Sequence, residues 1–425
     1  MSPRREESVF PQEIYEEIIH WCSMWSFMGP STLRNATLRA CSLVCRAWYP
    51  YSQRRLVQEV YLHDPSVAGH RSTPIMSFVE LLTRKTALQG NVLGLTLKVA
   101  NDPTWVFHLI GPRLPSLRYL VIDITSTNGQ TVVCHPTFYM TIVQYNSIRY
   151  FAFYQDGWID TKKVLRVCRE LPNITHLDAR DGRAPFLPQT ECPISLLSVP
   201  SSLRSLVLPG TYPTHASERT GSSLLVKALF NNPAILSRIE RLWVPGTHNT
   251  GCLLRACHSL QELVVAYHDT MVAEVPHISL SHLHNLRELG IIRHVPTTDS
   301  EASKIMDLLE SVSSSKLHTL DITFTTDRSD VWPRYIDVFT WGQLEGLLIS
   351  RFPRCTLNFT LAHKGQREKL DLTGRLPRLA ARGNLGYETR SGTAISLFWR
   401  DFVAQSTTST LSENPKGPMQ GPTTY

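Results

Sequence analysis

The sequence predicts an α/β solenoid, in which short parallel strands alternate with helices, preceded by a small all-helical module. Three observations carry this. An aliphatic residue, two variable residues, a large apolar residue, one variable residue and a further apolar residue recur ten times along the chain. The recurrences start 21 to 36 residues apart, which leaves room for the dozen or more residues that a parallel crossover needs. The segment before them carries apolar residues at helical rather than strand spacing.

Residues 1–8 are polar and are expected to be disordered. They lack the apolar stretch of a secretory signal, which predicts a cytoplasmic or nuclear chain. The helical module is expected over 9–62. Pro11 suits a first helical position and Glu13 favours the first turn. Ile14, Ile18 and Trp21 or Cys22 then share a face. Gly29-Pro30 breaks this helix, and Ser31 or Thr32 can cap a second one with Leu33, Ala36 or Thr37, Ala40, Leu43 or Val44, and Ala47 in register. Pro50 is expected to mark its end, and Arg55 to Leu62 reads equally as a short helix or a strand. Trp21, Met24, Trp25, Phe27 and Met28 are surplus apolar material, to be buried on neighbouring repeats or on another protein.

The repeats are expected over 75–363. The triplets are Val92/Leu95/Leu97, Leu117/Leu120/Ile122, Ile148/Phe151/Phe153, Ile174/Leu177/Ala179 and Leu203/Leu206/Leu208. They continue as Ile239/Leu242/Val244, Leu260/Leu263/Val265, Leu286/Leu289/Ile291, Leu317/Leu320/Ile322 and Leu344/Leu347/Ile349. In each, the last two apolar residues point to one face of a strand and the residue between them to the other. Several spacers read as amphipathic helices. Asp299 can cap Ser300 to Val312, with Ile305, Leu308, Leu309 and Val312 as the stripe. Asp160 can cap another, with Val164, Leu165, Val167 and Cys168 apolar, and Ser222 to Phe230 is a third. One strand–helix unit cannot bury its own apolar face, so the units stack. An ordinary α/β domain is the alternative. Leu357, Phe359 and Leu361 form a further strand candidate, 364–403 a cap, and the Ser/Thr/Pro/Gly-rich residues 404–425 a disordered tail.

The triplets resemble those of leucine-rich repeats in an irregular form that lacks the usual Asn after the strand. On that resemblance the solenoid is right-handed and its parallel sheet lines a concave surface. Phe10-Pro11-x-Glu13-Ile14-x-x-x-Ile18, followed by Cys41-Ser42-Leu43-Val44-Cys45-Arg46-Ala47-Trp48 and then Leu56, resembles an F-box motif as found in fungal F-box-like proteins. Phe10 stands where that family prefers Leu, and residues 23–36 are longer than its usual inter-helix spacing. The resemblance implies that the module binds a Skp-type adaptor and through it joins a cullin–RING ubiquitin ligase, with an unknown protein target held by the repeats. Phe10, Pro11, Ile14, Ile18, Leu43, Val44, Cys45 and Trp48 would then form or support the adaptor face. A leucine-rich-repeat scaffold outside any ligase is the alternative function.

No enzyme chemistry, cofactor or metal is expected. Cys41 and Cys45 have no second ligand pair, and Cys252/Cys257/His258 and His277/His282/His284 lack zinc spacing. Gly246 and Gly251 follow a strand, but Cys252-Leu253 stand where a phosphate loop needs Lys and Ser or Thr. The nine cysteines are scattered through apolar stretches and read as reduced. The net charge of +7 is dispersed, with no basic run for nucleic acid, and no stretch of 18 apolar residues suits a membrane. Recognition is expected on the concave face, on an exposed row of Tyr119, Asp123, Tyr150, Tyr154, His176, Asp178, Arg180, Arg241 and Trp243, which supplies the aromatic and Arg anchors common at protein interfaces.

Overall fold

A computed structural model describes residues 11–25, 31–64, 73–124, 134–155, 161–178, 199–208, 229–246, 250–267, 278–294, 299–326, 340–363, 366–368 and 372–386. The chain divides into two compact units, Met1–Leu56 beginning the first and Val57–Thr389 forming the second.

The first unit holds α1 (Gln12–Trp25), α2 (Ser31–Val44) and α3 (Trp48–Gln58). Among the described residues its core is Ile19, Leu38 and Cys41, with Trp48, Tyr51 and Leu56 packed against them and the Tyr15 ring 6.1 Å from that of Trp48. The expected helix starts hold, but the inward faces differ from the expected register. On α1 the buried residues are Tyr15 and Ile19, while Ile14 and Ile18 share an outward face. On α2 they are Leu38 and Cys41, with Ala36, Ala40, Leu43 and Val44 outside. Both helices carry apolar residues on more than one face, so spacing alone does not choose the buried one. Pro50 lies in the first turn of α3, where its missing N–H costs nothing. The side chains of Trp21, Met24 and Trp25, and all of Phe10, Phe27 and Met28, lie outside the described residues.

The second unit opens with β1 (Glu59–His63), β2 (Thr73–Pro74) and α4 (Ile75–Arg84). It continues through β3 (Gly94–Val99), α5 (Thr104–Ile110), β4 (Tyr119–Ile124), α6 (Pro136–Ile142), β5 (Tyr150–Gln155), α7 (Thr161–Glu170) and β6 (His176–Asp178). Next come β7 (Ser205–Val207), α8 (Pro233–Leu236), β8 (Arg241–Pro245), α9 (Thr250–Arg255) and β9 (Glu262–Tyr267). The last elements are β10 (Glu288–His294), α10 (Asp299–Glu310), β11 (Thr319–Thr326), α11 (Trp341–Arg351), β12 (Thr356–His363), β13 (Gln366–Glu368), α12 (Pro377–Ala381) and β14 (Leu385–Gly386). All fourteen strands among the described residues join one sheet. From β3 to β12 they lie in sequence order, with β1 and then β2 beyond β3; at the other edge β13 and β14 both pair with β12. Every pairing is parallel except the antiparallel β12–β13 return. The fold of this unit is an α/β solenoid built on one parallel ladder.

Nine of the ten triplets lie on successive rungs. Their second members align as one buried column, from Leu95 and Leu120 through Phe151, Leu177, Leu206, Leu242, Leu263 and Leu289 to Leu320. Their first members sit in the turn before each strand and are also buried, Val92, Leu117, Ile148, Ile174 and Leu203 among them. Ala179 lies outside the described residues. The tenth triplet is a correction. Leu344, Leu347 and Ile349 lie in α11, and the rung after β11 is β12, with Leu357 in the column. Leu344 and Leu347 are three apart and Leu348 adds a fourth-residue partner, so the same letters satisfy a helix. At the other end the solenoid begins before residue 75, because Glu59–His63 pairs in register with Gly94–Lys98. Ile305, Leu308, Leu309 and Val312 are buried as the stripe expected for α10, and Val164, Leu165, Val167 and Cys168 for α7.

The turn before each strand repeats in its hydrogen bonds. The N–H of the first triplet member donates to the carbonyl three residues earlier, as in Leu117 to Leu114, Ile148 to Tyr145, Ile174 to Leu171 and Leu286 to Leu283. One carbonyl per rung then accepts two successive N–H groups of the next: Arg118 from Arg149 and Tyr150, Arg149 from Thr175 and His176, Arg287 from His318 and Thr319. Serines stitch the same turns. Ser147 donates to Leu117 at 2.7 Å, Ser202 to Ile174 at 2.6 Å and Ser314 to Leu286 at 2.7 Å. These hydroxyls add side-chain bonds between rungs to the backbone ladder.

Candidate interaction surfaces

Alternation along each strand leaves the residues between the buried columns on the opposite, helix-free face of the sheet. Two columns of that face hold most of the expected row. One runs Glu59, Gly94, Tyr119, Tyr150, His176, Ser205, Arg241, Glu262, Glu288; the next runs Tyr61, Thr96, Val121, Ala152, Asp178, Val207, Trp243, Val264, Gly290. Asp123 follows one position further on, beside Lys98. Tyr154 is in register with Asp123, but its side chain is not described, and Arg180 lies outside the described residues.

The row was expected to be exposed, and much of it is not. Tyr119 and Tyr150 are 5% exposed and Asp178 2%. Adjacent rungs are about 4.8 Å apart, so side chains in one column cover each other. The Tyr119 and Tyr150 rings stack at 4.5 Å, the His176 ring continues the stack at 6.4 Å, and the Tyr150 hydroxyl donates to Asp178 Oδ2 at 3.2 Å. Burial and the Arg241 guanidinium hold His176 down to about 3, so it is a neutral imidazole near neutral pH.

The rest of the face is half-buried and polar. Arg241 Nε meets Glu262 Oε1 at 3.2 Å, Lys98 Nζ meets Asp123 Oδ2 at 3.6 Å, and Asn358 donates to Asp321 at 2.6 Å. Burial, and secondarily the Asp123 carboxylate, raises Tyr61. Trp243 stands between Val207 and Val264, next to Pro245 and Ala266, with Arg241 and Glu262 at one side. Tyr267 lies over Gly246 so closely that any β-carbon there would strike its ring, and Arg293 sits 5.8 Å from the ring on the other side. Lys98 and Glu262 were missed by the sequence reading, although they are in register with Asp123 and Arg241, which it chose; Tyr267 and Arg293 pair with each other at the alternate strand positions, in line with Leu263 and Leu289. Among the described residues, no group of three or more His, Cys, Asp or Glu is placed to hold a metal. No helix is long and apolar enough to cross a membrane among them.

The first unit presents a different surface. Ile14 and Ile18 are 45% and 38% exposed on α1, and Leu43 and Val44 are 85% and 62% exposed at the end of α2. Pro11 and Cys45 are exposed too, and Trp48 is half-buried against the small core. No other residue of the expected adaptor set is described, since Phe10 lies outside.

The sequence matches no protein-family model and no curated protein. Among solved structures, the chain is similar to the Toll–Spatzle complex of Drosophila at 12% identity and a TM-score of 0.36, over 64% of this chain and 32% of that one. It is similar to human 5T4, Wnt-activated inhibitory factor 1 or trophoblast glycoprotein, at 15% identity and a TM-score of 0.28, over 60% of this chain and 76% of that one. The chain thus spans about a third of the first of these. What defines the second unit as a solenoid is its own parallel ladder.

Proposed function

We propose that this chain is a recognition subunit that works by binding: its first unit docks a Skp-type adaptor, placing it in a cullin–RING ubiquitin ligase, and its solenoid holds a protein target. The observation that carries this reading is the outward apolar surface of Ile14, Ile18, Leu43 and Val44. Leaving large aliphatic side chains in water forgoes about 25 cal/mol per Å² of burial, which a partner covering them would recover. The F-box resemblance assigns an adaptor to these same positions, while Tyr15, Ile19, Leu38 and Cys41 hold the helices together from behind.

On the solenoid, target contacts fall to the half-buried side chains of the sheet face, Trp243, Arg241, Asp123 and their neighbours Lys98 and Glu262. Tyr119, Tyr150 and Asp178 shape that face from within. A Trp beside a partly buried Arg is the composition of an interface anchor.

The test is a pull-down of a purified Skp-type adaptor by wild type and by an Ile14→Asp/Val44→Asp double variant. Both residues are outside the core, so helix content measured by circular dichroism stays unchanged. Retention of adaptor by wild type and its loss in the double variant support the reading. A wild type that retains no adaptor leaves a solenoid scaffold outside any ligase.

A further inference from the structure

The large apolar side chains that the solenoid leaves in water are not on its sheet face. Among the described residues of the second unit they are Met76 (60% exposed), Leu81 (37%), Trp105 (40%), Met140 (73%), Val143 (38%) and Phe230 (39%). All but Phe230 belong to three consecutive helices, α4, α5 and the end of α6, which pack one against the next with α7 following. The inner sides of these helices are fully used, by Phe78 and Leu82, Phe107 and Ile110, Phe138 and Ile142. Packing of the core therefore does not explain the outer residues.

Among the described residues, the exposed charge on these helices that is not ion-paired is positive. The carboxylates borne by α4 to α7 are Glu80 and Glu170, and each is ion-paired with an Arg of its own helix, Arg84 and Arg169. Asp102 is turned into the start of α5, accepting from the Thr104 and His135 backbone N–H groups at 3.0 Å. Exposed Lys85 and Arg166 have no carboxylate partner among the described residues. The Arg166 guanidinium is held 4.0 Å from the Tyr139 ring centre, a fixed position at the edge of the strip.

We infer that the outer surface of α4 to α7 is a second docking site, which takes an acidic amphipathic helix of a partner protein. Helices offer no unpaired backbone N–H or C=O along their sides, so an extended strand would find no ladder to join. A helix satisfies its own backbone and seats apolar side chains at helical spacing against Trp105, Met140 and Val143. Its carboxylates then meet Arg166 and Lys85. A cation fixed on an aromatic ring suits one defined carboxylate better than a fluid layer of headgroups, which argues against a lipid surface.

The probe is a fluorescein-labelled 18-residue peptide with Leu on one helical face and Glu on the other, titrated with the full chain and read by anisotropy. Its twin carries Lys for Glu, and vesicles of phosphatidylserine and phosphatidylcholine form a third arm. The acidic peptide is expected to bind wild type and to lose at least tenfold in affinity with Met140→Glu, several-fold with Arg166→Glu, and at least tenfold when the Lys twin replaces it. Both substitutions are at exposed positions, and an unchanged melting curve certifies the fold. The proposal is overturned by absence of binding to wild type, by equal binding of the two peptides, or by an affinity indifferent to Met140→Glu. Vesicle binding that Met140→Glu abolishes would hand the strip to a membrane and overturn it too. This site lies on the second unit, so its failure leaves the adaptor reading of the first untouched.

Discussion

Tyr150 and Asp178 meet where neither is open to water, and that makes their bond consequential. Removing the hydroxyl with Tyr150→Phe leaves a buried carboxylate short of a donor, which costs on the order of 1–2 kcal/mol in urea unfolding. His176 makes the face acid-sensitive. Its ordinary value is 6.5 and burial beside Arg241 lowers it to about 3, so the unfolded chain takes up the proton first. Stability contributed by the neutral ring is present above pH 6.5 and is lost as pH falls toward 3. A His176→Gln variant should show a flatter loss over that window; an identical slope would remove His176 as the cause. Thiols sort by the same physics. Burial pushes Cys168, Cys257 and Cys355 up to about 12, whereas Cys45 and Cys252 are exposed. Mass-spectrometric mapping after brief alkylation at pH 8 should therefore find Cys45 and Cys252 modified well before the buried three. Alternation in the sequence placed Tyr119, Tyr150 and Asp178 on the correct face. It could not show their burial, because stacking between rungs is a property of neighbours far apart in sequence.

Each rung is tied to the next by a turn whose bonds the sequence hides. Ser314, almost fully buried, has its hydroxyl within reach of the His284 and Leu286 carbonyls, so Ser314→Ala should cost about 1 kcal/mol, as Ser202→Ala should in the N-terminal half. Gly246→Ala should cost about 1–3 kcal/mol, since a β-carbon there displaces the Tyr267 ring. Nine strands were legible because a buried aliphatic stands three residues ahead of an alternating pair at each of those nine rungs. The element misread, Leu344/Leu347/Ile349, shows the limit of that signal. Three-residue spacing serves a turn followed by a strand and one turn of α11 equally well, and only the neighbouring Leu348, with Trp341 and Leu344 also buried, favours the helix. β1 was ambiguous for a related reason. Val60 and Leu62 alternate like a strand, yet they follow α3 without a break.

At the scale of the molecule, the two units expose apolar side chains in different places. The solenoid is a parallel ladder whose sheet face is largely packed, and among the described residues its exposed large apolar side chains lie, Phe230 apart, on the outer helices α4 to α6. The first unit is small and carries its apolar surplus at Ile14, Ile18, Leu43 and Val44. Which face of a short helix turns outward depends on what packs behind it, so the sequence could show that the surplus existed but not where it pointed. The adaptor reading places Cys45 beneath the adaptor, whereas Cys252 is an exposed thiol of the other unit to which that reading assigns no adaptor contact. Alkylation rates at these two exposed thiols, followed with and without a saturating Skp-type adaptor, test the claim directly. The account predicts that Cys45 slows by tenfold or more while Cys252 reacts as before. Equal reactivity of Cys45 in both conditions would contradict it.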